Sequence, residues 1–498
     1  MIKFEKFYVT TAIDYPNAKP HLGHAYEKII ADVMARWHRI KGEDVFFLTG
    51  MDEHGQKIER AAKASGKTPQ EIVDEMAVFF RELCRRLNIS YNDFIRTTEE
   101  RHIKVAQEIF KKVFDKGDIY KGFYEGLYCV SCEAFYTERD AIDGKCPVHK
   151  KDLELVKEDS YFFRLGKYKD KIIEHIKTNK NFILPESRRN EILNRLENEL
   201  KDLSVSRVSF KWGIPLPIDE DHVIYVWFDA LLNYISALDY PNEKFKKYWP
   251  ADVQNIGKDI SWFHTVIWPA ILIAADIELP KTIFVHGFIN MGGEKLSKTR
   301  GIIVDPFKLI DKYGADTLRY FLMREIPFGE DGDFSEEALI NRHNSELADA
   351  LGNLVNRVLV LVEKNFDGLI PEPYEEDKLK TIALNTSKAV DNSMEEFQFH
   401  NVLNDIFYLV NEANKYINEN KPWEIKERKR LGGTLYALLE TLRFISILLY
   451  PFTPETSEKI AKQLGLEPKF SFDDLKWGIL KPRTKTKRDK ILFEKIKN

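Results

Sequence analysis

Cysteine is scarce in this sequence, with 4 residues among 498, and that scarcity excludes a disulfide-stabilised scaffold. The N-terminal stretch also lacks the basic start, the apolar core and the small-residue cleavage site of a secretory signal. Three of the four cysteines fall between Cys129 and Cys146, which is typical of a metal site in a reducing compartment. We therefore expect a cytoplasmic protein.

Long apolar runs and a strong net charge are missing as well. The apolar stretch at 268–280 is broken by Asp276, so we expect no membrane-spanning segment. The formal net charge is −4 at pH 7, and the chain as a whole is not a basic surface for DNA. The segment from Lys481 onward is basic, with eight Lys or Arg against two acidic residues. It can meet phosphates, although a solvated terminus is the commoner explanation.

The composition that is present, 44% hydrophobic and 31% charged residues, is that of a globular protein of roughly two to four domains. FYVTTAI (7–13) and DVFFLTG (44–50) have strand composition, and they flank a helix whose apolar face runs to Ile40. Such a βαβ unit belongs to a parallel sheet, which binds ligands beyond the carboxyl ends of its strands.

A second α/β block follows much later in the chain. Segments 222–230, 253–259 and 282–289 have strand composition, and 261–275 is typical of a buried helix. Between the two blocks lies a stretch of different character, at 117–220, which we interpret as an insertion into a split nucleotide-binding fold. Beyond about residue 336 the apolar period becomes helical, with amphipathic or buried helices predicted at 347–366, 401–420 and 432–452.

The spacing of the clustered cysteines predicts a zinc site. Cys129-x2-Cys132 and Cys146-x2-His149 offer three thiolates and an imidazole, which suits tetrahedral zinc. Because protein fills all four positions, the site is expected to be structural rather than catalytic. The alternative is a chance cluster of buried thiols. Cys84 stands alone in a helical stretch, where an inert buried thiol is the simpler interpretation.

Two short motifs lie next to the predicted strands. HLGH places His21 and His24 between the first strand and its helix, where backbone N–H groups and the helix dipole favour anions. EKLSKTRG presents Lys295 and Lys298 on a loop after the last strand. Taken singly, the first is more often a helix face or a metal half-site and the second a solvated loop. Both together, at corresponding places in a split sheet, are much harder to explain by chance.

HLGH at 21–24 and KLSKT at 295–299 resemble the paired signatures of class I aminoacyl-tRNA synthetases. TTAIDYPNAKPHLGHAYE, GMDEHGQKI, the cysteine pairs, YVWFDALLNYISAL, GKDISWFHTVIWPAIL and LGNLVNR…KPW are similar to methionyl-tRNA synthetases, and the matches run from residue 8 to 423. The resemblance implies a ligase that converts methionine and ATP to methionyl-adenylate, releasing pyrophosphate. It would then transfer methionine to the 3′-terminal ribose of tRNA(Met), with Mg²⁺ accompanying ATP.

The resemblance also implies roles for individual residues. His21 and His24 would donate to phosphate oxygens, and Gly23 would let adenine lie flat against the backbone. Lys295 and Lys298 would hold the departing pyrophosphate. The ATP-binding residues would be Gly23, Asp259, which contacts the ribose, and Lys298. Asp52 would hold the α-ammonium group of methionine. The remaining methionine pocket would consist of Ala12, Ile13, Tyr15, Trp227, Ala230, Tyr234, Ile260 and His264.

In the helical part, Asn353, Arg357 and Trp423 are similar to the anticodon readers of the family. Polar edges would bond to splayed bases and the indole would stack on a base. Taken singly, each residue is ordinary on a helical bundle. Without the resemblance, core packing would also be the simpler explanation for Trp227 and Tyr234.

We predict an α/β protein: a split Rossmann-like parallel-sheet catalytic domain with a zinc-binding insertion, followed by an all-α helical-bundle anticodon-binding domain. The predicted boundaries are 1–116 for the first catalytic half, 117–220 for the insertion, 221–300 for the second catalytic half, 301–345 for a stem-contact linker and 346–498 for the helical domain.

The sequence departs from the family pattern at Leu296 and Thr299 in the lysine loop, and at Asp14 and Leu231 beside the methionine pocket. A tRNA-binding, dimerising module after the bundle is expected to be absent or supplied by a separate polypeptide.

Three alternatives compete with a methionine enzyme. The isoleucyl, leucyl and valyl enzymes of the same class carry a larger editing insertion than 117–220 allows. A nonenzymatic RNA-binding relative would have lost a histidine or lysine from the two signatures, yet all four are present. A zinc-ribbon scaffold that binds nucleotides for regulation would have no need of aromatic residues near Trp227.

Overall fold

The protein is described by a computed structural model that covers residues 5–130, 134–136, 141–147, 150–292, 294–295, 304–327, 329–374 and 378–497. The described strands are β1 (Lys6–Thr11), β2 (Asp44–Met51), β3 (Asp93–Arg96), β4 (Ile119–Cys129), β5 (Ala134–Tyr136), β6 (Glu154–Phe163), β7 (Ile183–Leu184), β8 (Leu203–Ser204), β9 (Ser206–Arg207), β10 (Pro215–Leu216), β11 (Asp219–Ile224), β12 (Val253–Gly257), β13 (Thr282–His286), β14 (Ile289–Met291), β15 (Glu294–Lys295) and β16 (Gly332–Asp333).

The described α-helices are α1 (Leu22–Ile40), α2 (Gln56–Ser65), α3 (Pro69–Arg86), α4 (Glu100–Asp115), α5 (Lys169–Thr178), α6 (Glu186–Leu196), α7 (Val226–Leu231), α8 (Asn233–Ser236), α9 (Glu243–Tyr248), α10 (Trp268–Ala274), α11 (Pro306–Tyr313), α12 (Ala315–Glu325), α13 (Glu336–Arg342), α14 (Asn353–Phe366), α15 (Lys378–Glu395), α16 (Phe399–Asn420), α17 (Arg428–Leu449) and α18 (Pro454–Gln463). Short 3₁₀ turns occur at Leu165–Tyr168, Lys258–Ile260 and Phe472–Asp474, and π-helical segments at Phe263–Ile267 and His343–Gly352.

A six-stranded sheet organises the N-terminal part, with all neighbours parallel in the order β3-β2-β1-β12-β13-β7. β1 is central because its residues are almost entirely buried and apolar or β-branched, as parallel strands covered on both faces require. The early strands pair with strands from beyond residue 250, so the predicted split parallel sheet is confirmed. β7 lies within the stretch predicted as the insertion, yet it pairs with β13 at the sheet edge. The domain boundaries stay a prediction.

One predicted strand was wrong over two thirds of its length. Segment 222–230 is a strand only up to Ile224, and α7 begins at Val226. The strand part, β11, joins a small antiparallel sheet of order β10-β11-β9 instead of the parallel one. Aromatic and β-branched residues favour strands, but they also suit a short helix buried on every side, and burial decided the outcome here.

The segment predicted as an insertion contains a second sheet, antiparallel and of order β5-β4-β6-β8. Its two long strands, β4 and β6, pair from Ile119 opposite Phe163 to Tyr128 opposite Glu154. Cys129 is the last residue of β4. The first cysteine of the predicted zinc motif therefore stands at one end of this sheet.

The C-terminal part is helical, and the three helices predicted there are confirmed with small shifts of their ends, as α14 with its preceding π turn, α16 and α17. By length and composition α17 could cross a membrane. Its apolar window is nevertheless buried completely inside the protein. Every residue of this helix from Leu431 to Leu449 is buried, which is typical of the core helix of a bundle.

A buried carboxylate joins the two parts of the molecule. Asp32 of α1 accepts hydrogen bonds from Nε of Arg36 at 2.8 Å and from the backbone N–H of Ser90 at 2.7 Å. The guanidinium of Arg319 in α12 lies 2.8 Å from the same carboxylate. Arg319 also donates to the carbonyls of Pro451 and Phe452, in the turn between α17 and α18. The helix that begins at HLGH is thereby anchored to the helical part.

Candidate active site

His21 and His24 lie where the sequence predicts, beyond the carboxyl end of β1 and at the start of α1. The connecting loop is held by backbone bonds on both sides. The N–H of Ala12 donates to the carbonyl of Asn255 at 3.1 Å and to the carboxylate of Glu27 at 2.7 Å. Asp14 extends the pairing towards β2, because its N–H donates to Gly50 and its carbonyl accepts from the N–H of Asp52, each at 2.9 Å. The loop is thus attached to β12, α1 and the end of β2.

His21 and His24 form a capping box at the start of α1. The N–H of Gly23 donates to Nδ1 of His21 at 3.1 Å, and the N–H of His21 donates to Nδ1 of His24 at 3.0 Å. A backbone N–H can only donate, so each Nδ1 must be an acceptor and each neutral imidazole carries its proton on Nε2. Both rings therefore present an Nε2–H donor, and they lie together with centroids 3.9 Å apart.

Gly23 has no room for a side chain. A Cβ at this position would lie 2.9 Å from Cε1 of the His21 ring, closer than such atoms approach in proteins. The absence of a side chain at Gly23 thus leaves room for the His21 ring, and the predicted role of Gly23 as a flat surface for adenine stays a prediction.

Tyr234 and His264 form a buried hydrogen-bonded pair in the predicted methionine pocket. Nδ1 of His264 lies 3.0 Å from the carbonyl of Ile260, and Nε2 lies 2.7 Å from the hydroxyl of Tyr234. The carbonyl can only accept, so Nδ1 carries the proton and the tyrosine donates to Nε2. Burial lowers the pKa of His264 to about 4 and raises the pKa of Tyr234. Both side chains are therefore uncharged at neutral pH.

An aromatic stack borders the same region. Trp227 of α7 lies parallel to Phe263 with ring centroids 3.7 Å apart. Phe263 begins the π-helical turn that follows β12, and such turns often occur at functional sites. Sequence reasoning missed Phe263, although its position beside His264 in an aromatic stretch was a usable signal.

The structure brings most of the predicted methionine residues into one core. Ala12 and Tyr234 belong to the apolar cluster that covers one face of the parallel sheet, and Ile13, Trp227 and Ile260 pack against it. Of the other members, Ala230 is buried in α7, Tyr15 is half-buried in the loop after β1, and Asp52 is half-buried just after β2. Asp259 is exposed in the 3₁₀ turn after β12.

A buried carboxylate beside the pocket was not predicted. Asp229 of α7 lies 2.7 Å from Nδ1 of His54 and 2.6 Å from Nε2 of His102, which also contacts the hydroxyl of Ser236 at 2.9 Å. Burial alone would raise the pKa of Asp229, but the two imidazoles hold it below its usual value. The network ties α7, which carries Trp227, to the end of β2 and to α4. No short-range sequence signal links residues so far apart.

The lysine motif falls largely outside the described residues. The backbone of Lys295 lies in β15, which pairs with β14 as a hairpin next to the end of β13. Lys298 and the side chain of Lys295 belong to the part that the structure leaves undescribed. Their role stays a prediction.

Two of the four predicted zinc ligands can be placed. Cys129 and Cys146 are both buried, and the backbone N–H of Lys150 donates to the carbonyl of Cys146 at 2.8 Å. Cys132 and His149 lie outside the described residues, and within the remainder no group of three or more potential ligands is found. Cys84 is buried in α3, and burial raises its pKa to about 12, as an inert thiol requires.

The predicted anticodon readers lie around one end of α14 and α16. Asn353 is exposed at the start of α14, and Arg357, one turn later, donates to the side-chain carbonyl of Asn418 at 3.0 Å. Trp423, just after α16, is 55% exposed. An indole that exposed is unusual in a core-forming role and is available for stacking. Asn418 is a polar neighbour that sequence reasoning missed.

The neutral state of His264 leads to a pH-dependent stability. Between its folded pKa of about 4 and its ordinary value of 6.5, the unfolded chain binds a proton that the folded protein excludes. His264 therefore leaves the free energy of unfolding unchanged above pH 6.5 and lowers it as the pH drops towards 4. Relative to His264→Gln, which cannot charge, the wild type should lose about 3 kcal/mol of unfolding free energy in urea between pH 7 and 4. A difference that is constant with pH would show that His264 is not held neutral.

Family models and known proteins match this chain in sequence over most of its length. The family model described as tRNA synthetases class I (M) matches residues 7–154 and 149–359, and the one described as anticodon-binding domain of tRNA ligase matches residues 382–496. Methionine–tRNA ligase of Caldanaerobacter subterraneus subsp. tengcongensis is 50% identical over 502 residues, covering 98% of this chain and 79% of that protein. That of Thermotoga maritima is 45% identical, covering 99% of this chain and 80% of that protein.

Solved structures agree with the sequence comparison. Mycobacterium tuberculosis methionyl-tRNA synthetase in complex with methionyl-adenylate matches with a TM-score of 0.94 at 42% identity, over 98% of this chain and 100% of that one. Its apo form matches with a TM-score of 0.89 at 39% identity, over 99% of each chain. Identity at this level over nearly the whole length shows that the chain belongs to the methionine–tRNA ligase family of class I tRNA synthetases and is a ligase that attaches methionine to tRNA.

Proposed function

We propose that the site at the carboxyl edge of the parallel sheet activates methionine with ATP. The main observation in support is the pair of Nε2–H donors at the start of α1. In the reaction, a methionine carboxylate oxygen attacks the α-phosphorus of ATP, the bond to the bridging oxygen breaks, and pyrophosphate leaves. Negative charge spreads over phosphate oxygens, so positioned donors supply most of the catalysis. His21 and His24 hold such donors beside a helix N-terminus.

The lysine loop and magnesium would neutralise the remaining negative charge of the phosphates. Lys295 and Lys298 hold pyrophosphate as it departs, and Mg²⁺ accompanies ATP. Gly23, which has no side chain, gives adenine a stretch of backbone to lie against. Asp259, exposed in the turn after β12, contacts the ribose. The Mycobacterium tuberculosis relative is titled as a complex with methionyl-adenylate, the product that this arrangement would form.

Methionine binds between the loop after β1 and the turn after β12. Asp52 pairs with the α-ammonium group. The neutral Tyr234–His264 pair and the Trp227–Phe263 stack offer the thioether an uncharged, polarizable surface. Ala12, Ile13, Tyr15, Ala230 and Ile260 complete the pocket. A charged histidine here would add a desolvation cost without a partner in the side chain of methionine.

The second step transfers methionine from the adenylate to the 3′-terminal ribose of tRNA(Met). Asn353, Arg357 and Trp423 read the anticodon at the far end of the helical part, by hydrogen bonds and by stacking. The exposure of Trp423 and the bond between Arg357 and Asn418 support this, because together they present an indole and polar edges on one end of the bundle. The enzyme acts in the cytoplasm, with or without a separate tRNA-binding subunit.

One structural zinc ion is held by Cys129, Cys132, Cys146 and His149. The donor set suits tetrahedral zinc, and the two described cysteines are buried, as ligands of a closed site are. Such an ion would cross-link the pair at 129–132 to the pair at 146–149 and would supply folding free energy. It takes no part in adenylation.

The adenylation role is tested by ATP–pyrophosphate exchange with each of the twenty amino acids and no tRNA. Methionine alone should support exchange. His21→Asn keeps a side-chain acceptor for the helix N-cap but loses the Nε2–H donor, so exchange should fall about 10²–10³-fold with little change in stability. His38→Asn, the same change near the other end of α1, is the matched control. Exchange with isoleucine, leucine or valine, or undiminished exchange in His21→Asn, would contradict the proposal.

The anticodon role of Trp423 is tested by separating the two steps. Trp423→Ala should lower kcat/KM for tRNA charging about 10-fold or more, since stacking contributes ~1–3 kcal/mol per base. Amino-acid-dependent exchange should not change. Tyr408→Ala is the control, because Tyr408 is an aromatic of the same domain with the same 55% exposure. Equal losses in both variants would argue against a specific stacking role.

Metal analysis tests the zinc site. The purified protein should contain about one zinc per chain. Cys132→Ser should lose the metal and lower the thermal midpoint, whereas Cys84→Ser should keep it, since Cys84 is buried in α3 outside the motif. Zinc-free wild-type protein with full stability would refute the site.

A further inference from the structure

An ion pair lies buried directly behind the loop that carries the methionine-binding residues. The ammonium group of Lys28, in α1, contacts the carboxylate of Asp14. The Lys28 side chain is completely buried and that of Asp14 is 3% exposed. Neither side chain can reach a substrate in this position. Any contribution to the reaction must therefore come through the residues that the pair holds in place.

On the loop side, Asp14 is fixed at its backbone as well as at its carboxylate. It stands between Ile13 and Tyr15, both assigned to the methionine pocket. Its carbonyl accepts from the N–H of Asp52 at 2.9 Å, and its N–H donates to Gly50 at the same distance. A displacement of Asp14 would move two pocket residues directly and would also disturb the partner of the α-ammonium group.

On the helix side, Lys28 follows His24 by one turn of α1, so it is carried by the same rigid element as the phosphate-binding histidines. The preceding residue, Glu27, accepts from the N–H of Ala12 at 2.7 Å. Two consecutive helix residues thus hold the loop at two points, one through a backbone N–H and one through a buried charge. The charged contact joins α1 to Asp14, the loop residue whose backbone is bonded to the end of β2.

We propose that Asp14 and Lys28 are a positioning pair for methionine activation, which sets the distance between the methionine-binding loop and the helix that bears His21 and His24. Adenylation requires the methionine carboxylate to meet the α-phosphorus in line, and small displacements of one reactant are costly to such reactions. Loss of the pair lets the loop after β1 move relative to α1 and so displaces methionine, whereas the groups assigned to ATP lie on α1, on the turn after β12 and on the lysine loop and not on the loop that moves. The inference rests on the proposed methionine site.

The test separates positioning from simple stabilisation. Lys28→Met leaves a buried carboxylate without its cation and should destabilise the protein, whereas Asp14→Leu/Lys28→Met removes both charges and should recover the thermal midpoint. If the pair positions the methionine-binding loop, the double variant should still show a methionine KM raised about 10-fold or more in pyrophosphate exchange. Its KM for ATP should change less than about twofold. If both the midpoint and the methionine KM recover, or if both KM values rise equally, the pair is only structural.

A matched control is available in the helical part. Glu440 and Arg443 of α17 form another buried ion pair, with side chains 0% and 4% exposed. Glu440→Leu/Arg443→Met should alter the thermal midpoint without raising the methionine KM. A methionine KM raised as much as in the Asp14/Lys28 double variant would overturn the proposal.

Two further arms keep the outcome decisive. If the apolar double variant does not fold, Asp14→Asn/Lys28→Gln is assayed instead: a methionine-specific rise in KM supports positioning and an unchanged KM refutes it. Wild-type protein without methionine-dependent exchange would refute the proposed function itself. Wild-type exchange together with a normal methionine KM in the double variants refutes only the positioning pair.

Discussion

The rest of the arrangement depends on the ion pairs that the carboxylate of Asp32 makes with Arg36 and Arg319. This carboxylate is completely buried in α1, where burial alone would raise its pKa, yet the guanidinium groups of Arg36 and Arg319 bring that pKa to about 2. A buried charge is tolerated only when it is paired, so these groups cannot separate without a large cost. Since Arg319 also binds carbonyls of the turn between α17 and α18, the helix of the active site and the tRNA-binding bundle are held as one unit.

α1 therefore serves several purposes along its length. Its first turn presents the histidine donors, its second turn holds the loop after β1 through Glu27 and Lys28, and its third turn carries Asp32. Most of the helix is buried, and a helix fixed on several sides can keep the two histidine donors in place, as the proposed role requires. The same burial explains why its polar residues are paired with groups from distant parts of the chain.

The proposed methionine pocket and its surroundings combine apolar side chains with buried polar groups. Tyr234 with His264, and Asp229 with His54 and His102, are groups that would be costly to leave without partners in a dry interior. Their hydrogen bonds have defined lengths and directions, which apolar packing alone does not impose. The proposed pocket can therefore keep its shape, and its Tyr234–His264 pair remains uncharged where a thioether would lie.

By itself, the sequence determined the local features: the strand–turn–helix that places HLGH, the parallel sheet, the helical C-terminal part and the cysteine spacing, because these depend on periodicity and on residues close together in the chain. It also indicated the pocket, through a resemblance to a known family. Only the tertiary structure decided that residues 226–230 form a helix, that Phe263 stacks on Trp227, and that Asp229 meets histidines 175 and 127 residues away. Such contacts are chosen by packing, which brings together groups whose separation in the sequence carries no signal of their meeting.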